Sequence, residues 1–118
     1  MPSTTQRGNY YKKKTQVWFE KQGYTVQITE FMCGRMVAPG KIIYVKRDVF
    51  GSDGIAMNGE EIIFWNAKHC STDDKNNIDT QIRQGKKEFA SYPFPTTVKR
   101  QLVMWQPRKK EPQIIHVT

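Results

Sequence analysis

Ile62-Ile63-Phe64-Trp65 is an unbroken apolar run, and it follows Asn58-Gly59 by two residues. Apolar residues that do not alternate suit a strand covered on both faces, because each face then receives a hydrophobic side chain. Asn58-Gly59 signals a two-residue hairpin turn, since both residues tolerate positive φ. Ser52 to Met57 precedes the turn and Glu60 to Ala67 follows it, so an antiparallel pair is expected at the centre of a sheet. Such a strand needs a packed layer on each side.

The flanking sequence supplies those layers. Ser3 to Gln22 reads as a helix that Gly23 stops, with Tyr10, Val17 and Trp18 on its apolar side and Lys13, Gln16 and Glu20 on a polar stripe. Residues 1–8 are polar and expected to be frayed. Tyr24 to Thr29 alternates as a strand, Cys33 to Gly40 reads as a loop, and Lys41 to Asp48 is a second β run. Ser71-Thr72-Asp73-Asp74 suits the start of a second helix. That helix extends to about Ala90, with Ile78, Ile82 and Phe89 inward. It ends before Pro93 and Pro95, and Gly85 is a poor helix residue within it. Thr97 to Trp105 and Gln113 to Val117 read as the last strands. Helix, three or four strands, helix and two strands give a single α/β domain over residues 1–118, a mixed sheet flanked by two helices.

The 118-residue chain has no apolar run near the ~20 residues of a membrane span, and its N-terminus lacks an apolar signal core. A soluble, cytoplasmic protein is expected. Its net charge of +8 points to a polyanionic partner, nucleic acid above all. Cys33 and Cys70, the only cysteines, are expected as thiols, and His69-Cys70 has no second pair at zinc-ligand spacing.

The chemistry concentrates on the central pair of strands. Asp53 opens the first strand, Asn66 lies thirteen residues later, and Lys68 follows two after that. Asn66 and Lys68 share a strand face. A carboxylate beside an ammonium group can hold a divalent cation next to a phosphate, which phosphodiester cleavage requires. Lys68 would stabilise charge that builds in the transition state. An amide oxygen at Asn66 can ligate Mg²⁺ without contributing charge. The plainer readings are a turn aspartate, a polar strand end and a surface lysine. No nucleophile triad and no phosphate-cradling glycine loop is present.

The αβββαβ order, the acid Glu20 in the first helix, Asp53, and Asn66-Ala67-Lys68 across a hairpin together resemble the PD-(D/E)XK nuclease superfamily. Within it, the compact archaeal-type Holliday junction resolvases and small phage endonucleases are the most similar. The resemblance spans about residues 8 to 106. It implies a restriction-endonuclease-like core and Mg²⁺-dependent DNA hydrolysis, with Mn²⁺ as a substitute. The metal would be held by Asp53, Asn66 and Glu20, with Lys68 assisting. Asn66 departs from the acid usual at its position, so a disabled site that only binds nucleic acid is the alternative. Glu20 reads equally as an ion-pair partner of a nearby lysine. Glu30, Asp48 and Gln81 rank below it.

Three basic groups could neutralise phosphates: Lys12-Lys13-Lys14, then Arg83, Lys86 and Lys87, then Arg108-Lys109-Lys110. No base-reading helix is legible, so structure-directed DNA binding is expected, on branched DNA and as a homodimer. A basic RNA-binding protein is the third reading.

Overall fold

The computed structural model describes residues 4–70, 75–107 and 109–117. Ser71–Asp74 and Arg108 lie outside the described residues. The elements run α1 (Thr4–Glu20), β1 (Thr25–Ile28), β2 (Phe31–Ala38), β3 (Lys41–Arg47), β4 (Gly54–Met57), β5 (Ile62–His69), α2 (Lys75–Ala90), β6 (Lys99–Trp105) and β7 (Gln113–His116). The apolar run lies in β5, the middle strand of a five-stranded sheet ordered β1-β4-β5-β6-β7. β4 and β5 are antiparallel, with Gly54 opposite Trp65 and Met57 opposite Ile62. β5 and β6 are parallel, so the chain crosses over through α2.

Alternation along β5 and β6 feeds two layers. Ile63, Trp65, Val103 and Trp105 join Ala56 and Phe19 in the core beneath α1. Leu102 and Phe64 face the other way. Buried Gly85 and Phe89 bring α2 onto this second face, and a Cβ on Gly85 would lie 2.6 Å from a Leu102 methyl. The glycine that weakens this helix by propensity is therefore what lets it approach the sheet.

Several sequence expectations need correction. Tyr10 and Val17 are 59% and 39% exposed rather than inward. The inward side of α1 is Tyr11, Thr15, Trp18 and Phe19, spaced at a helical repeat. Thr15 hides this pattern because it is polar yet wholly buried. Its hydroxyl donates to Tyr11 O at 2.7 Å and accepts from Trp105 Nε1 at 2.8 Å. Residues 4–8, expected to be frayed, already belong to α1. Gly23 does follow the helix end, at φ 94°.

Asn58 and Gly59 do not form a two-residue left-handed turn. Residues 58–61 link the strands, and the Asn58 amide oxygen accepts from the backbone of Glu60 and Glu61, each at 2.9 Å. The predicted loop at Cys33–Gly40 is mostly strand: β2 pairs with β3 as a separate two-stranded ribbon. No described helix is long and apolar enough to cross a membrane.

Candidate active site

The site forms where β4 begins, β5 ends and α2 passes over both. Ser52 anchors the entry to β4: its hydroxyl donates to Val49 O at 2.6 Å, and Thr29 Oγ1 donates to Ser52 O at 2.7 Å. The next residue, Asp53, donates its N–H to Asn66 Oδ1 at 2.6 Å and to Trp65 O at 3.0 Å. Its carboxylate Oδ2 accepts from the Ala67 N–H at 3.0 Å. Backbone contacts to β5 thus fix both ends of Asp53.

Asn66 is completely buried. Its Nδ2 donates to Gly51 O and to Glu88 Oε2, both at 2.8 Å. Lys68 Nζ donates to the other carboxylate oxygen, Glu88 Oε1, at 2.6 Å. One carboxylate from α2 therefore joins the two residues that β5 presents on that face. The helix comes this close because position 51 is glycine: at φ 75°, a Cβ there would lie 2.3 Å from Glu88 O. Asp48 shapes the same turn by accepting from Gly51 N–H at 3.1 Å.

Asp53, Asn66 and Lys68 come together, although not in the expected way. The Asn66 oxygen is occupied by the Asp53 backbone, so the amide serves as a brace rather than as an offered ligand. Glu20 is not brought in. It is exposed at the last position of α1, beside the Thr25 end of β1, whereas Asp53 lies past the Ile28 end. The α1 residue acting on Asp53 is Lys12, which is ion-paired with Glu30. Lys12 is thereby withdrawn from the phosphate-binding role expected of it, since its side chain is only 15% exposed. Lys14 also packs inward, its ammonium 4.5 Å from the Trp105 ring centre. Lys13, Arg83, Lys86 and Lys87 are exposed.

Sequence reasoning missed Glu88. In Lys86-Lys87-Glu88 it reads as one more solvated helix charge. The available signal was its position three residues after Gly85 and one before Phe89, on the edge of the buried stripe. Gln81, half-buried, lies on the same stripe one turn before Gly85.

Burial raises the pKa of Asp53. Lys12, the Ala67 N–H and Lys68 counter this, and Glu88 adds to it. Burial thus outweighs the two nearby lysines in destabilising the charged carboxylate. Asp53 and Glu88 supply hard oxygen donors of the kind Mg²⁺ takes, and each Glu88 oxygen already accepts one hydrogen bond, from Asn66 or from Lys68, leaving a further lone pair on each. Among the described residues no three His, Cys, Asp or Glu side chains gather as a metal group. In chemical type, the carboxylates of Asp53 and Glu88 fit a hard divalent ion that keeps several waters.

No family model and no curated protein matches the sequence. The solved structures that share the fold include two at TM-score 0.51. One is Hjc, a Holliday junction resolvase from the archaeal hyperthermophile Archaeoglobus fulgidus, with TM-score 0.51 and 13% identity over 93% of this chain and 72% of that one. The other is SSO0001, with TM-score 0.51 and 16% identity over 98% of this chain. The chain spans about half, 52%, of SSO0001. The α/β architecture expected from the resemblance is borne out at the level of the fold.

Proposed function

We propose that this chain is a Mg²⁺-dependent endonuclease that hydrolyses phosphodiester bonds in DNA, acting on branched substrates as a homodimer. The observation that carries the reading is the meeting of Asp53, Lys68 and Glu88 at one sheet end, on a fold shared with a junction resolvase. Asp53 and Glu88 would hold the ion. Once bound, the ion supplies a water of lowered pKa and polarises the phosphate. The rest falls to the protein. The Ala67 N–H orients the Asp53 carboxylate. Asn66 fixes Glu88 and the Asp53 backbone. Lys68 places an ammonium group where charge develops on the phosphate. Two symmetric strands of a junction call for two such sites, hence the dimer.

A second reading has one specific observation behind it. The Asn66 oxygen faces a backbone N–H, so among the described residues only two carboxylates meet here, as in a module that binds DNA without cutting it. Incubating the chain with supercoiled and four-way-junction DNA in Mg²⁺, in Mn²⁺ and in EDTA separates the two. Metal-dependent cutting is expected. Tight binding with no product in any metal would establish the binding module, and a preference for RNA would favour the RNA-binding reading.

Glu88→Gln keeps the shape and removes the charge. It is expected to lower the cleavage rate by about 100-fold, roughly 3 kcal/mol of barrier, and to raise the Mg²⁺ concentration needed for half-maximal cutting. Cutting at the wild-type rate would place the metal elsewhere.

A further inference from the structure

The β2–β3 ribbon stands apart from the five-stranded sheet. Its strands hydrogen-bond to each other and to no other described strand. Every residue of β2 is exposed, and Phe31, Met32, Met36, Ile42 and Tyr44 are more than half exposed. A lone two-stranded ribbon is marginal in water, and clustered exposed apolar residues mark an interaction surface. Two further features narrow the partner. From Phe31 to Arg47 the chain carries Arg35, Lys41, Lys46 and Arg47 and no acid. The cross-strand pairs Phe31–Arg47 and Arg35–Ile43 set a cation beside an apolar group, and Ala38 faces Lys41 at the tip.

The base of the ribbon adjoins the candidate active site. β2 begins immediately after Glu30, the partner of Lys12, and β3 leads into the Asp48–Gly51 turn that holds Asn66. Tyr44 lies opposite Gly34, where a Cβ would come within 3.3 Å of its ring. Glycine thus leaves room for the ring across the ribbon, and Tyr44 remains 68% exposed.

We propose that this ribbon grips DNA, entering a groove beside the cleavage point. An eight-residue strand reaches about 25 Å, and a major groove about 12 Å wide admits a two-stranded ribbon. Charge complementarity selects the occupant. Four cations without an acid attract a phosphate backbone, whereas ribbon against ribbon in a second copy would oppose like charges. Arg35 and Lys41 contact phosphates, and the apolar groups and Tyr44 pack on sugars and base edges. The location at the cut rests on the endonuclease reading; the binding itself does not.

The test uses the full chain in EDTA, with fluorescently labelled four-way junction and duplex DNA. The double substitution R35Q/K41Q is expected to weaken binding about tenfold near 0.1 M salt and to flatten the log–log salt slope by about 2. Tyr44→Ala is expected to weaken binding while leaving that slope unchanged. A photo-crosslinker on Cys33, an exposed thiol within β2, should give a protein–DNA adduct, absent in Cys33→Ser. Unchanged affinity in R35Q/K41Q, or adducts only between two copies of the chain, would overturn the proposal. A chain that binds through the ribbon but cuts nothing would refute the endonuclease reading alone. One that cuts junctions with R35Q/K41Q as tightly bound as wild type would refute the ribbon alone.

Discussion

Asp53→Asn is expected to lose at least about 1,000-fold in metal-dependent DNA cleavage, about 4 kcal/mol of barrier, while remaining folded. Asparagine retains an oxygen for the Ala67 N–H, so the backbone contact survives and only the charge disappears. The same substitution should stabilise the metal-free chain at neutral pH. The sign follows from burial, which raises the Asp53 pKa. The folded chain then holds that proton more tightly than the unfolded chain does. Stability from this group is present below the ordinary carboxylate range and is lost as pH rises through the raised value. At neutral pH the metal-free chain therefore carries a poorly solvated charge, and removing it relieves the cost. Thermal melts of wild type and Asp53→Asn between pH 4 and 8, with and without Mn²⁺, check both halves. Only wild type should gain stability from the metal. Full cleavage by Asp53→Asn would remove Asp53 from the chemistry.

The parts of this arrangement that were legible in the sequence are those with a local cause. Ile63–Trp65 announced a doubly covered strand because burial on both faces leaves a direct compositional trace, although Ile62, which begins the run, is 41% exposed. Asp53, Asn66 and Lys68 could be grouped because strand alternation and hairpin pairing convert spacing into proximity. Glu88 could not be grouped this way. Its contact with β5 depends on how closely α2 approaches, and Gly51 and Gly85 set that distance from two separate places. Propensity rules score both glycines as breaks, so the signal carried the wrong sign. Glu20 failed for the complementary reason. Helical spacing gave its stripe but not which end of α1 lies over Asp53, and the structure sets Lys12 there. The ribbon was misread at Cys33–Gly40 because Gly34, Pro39 and Gly40 resemble a loop, although only the last two form the turn.

Asn66→Asp tests the brace most directly, because sequence and structure give opposite expectations. By the sequence pattern, an acid here completes a metal site and should raise activity. In the structure, the amide nitrogen donates to Gly51 O and Glu88 Oε2, and the oxygen accepts from Asp53 N–H. That orientation is chemically forced: an N–H can only donate, and a carbonyl and a carboxylate can only accept. An aspartate can still accept from the Asp53 N–H but loses both contacts that the amide nitrogen donates, to Gly51 O and to Glu88. Gly51 O, on a half-buried residue, is left without its donor, and a second carboxylate at the buried position 66 faces Glu88 across the space the amide bridged. Each unsatisfied buried group costs about 1–3 kcal/mol. Asn66→Asp should therefore destabilise the chain by about 3 kcal/mol, roughly 10 °C in Tm, and disorder Glu88. Millimolar Mn²⁺ should recover only part of that loss. A substituted chain that melts at or above the wild-type temperature without metal would show that Asn66 is not the brace joining β4, β5 and α2, and that position 66 belongs to the metal after all.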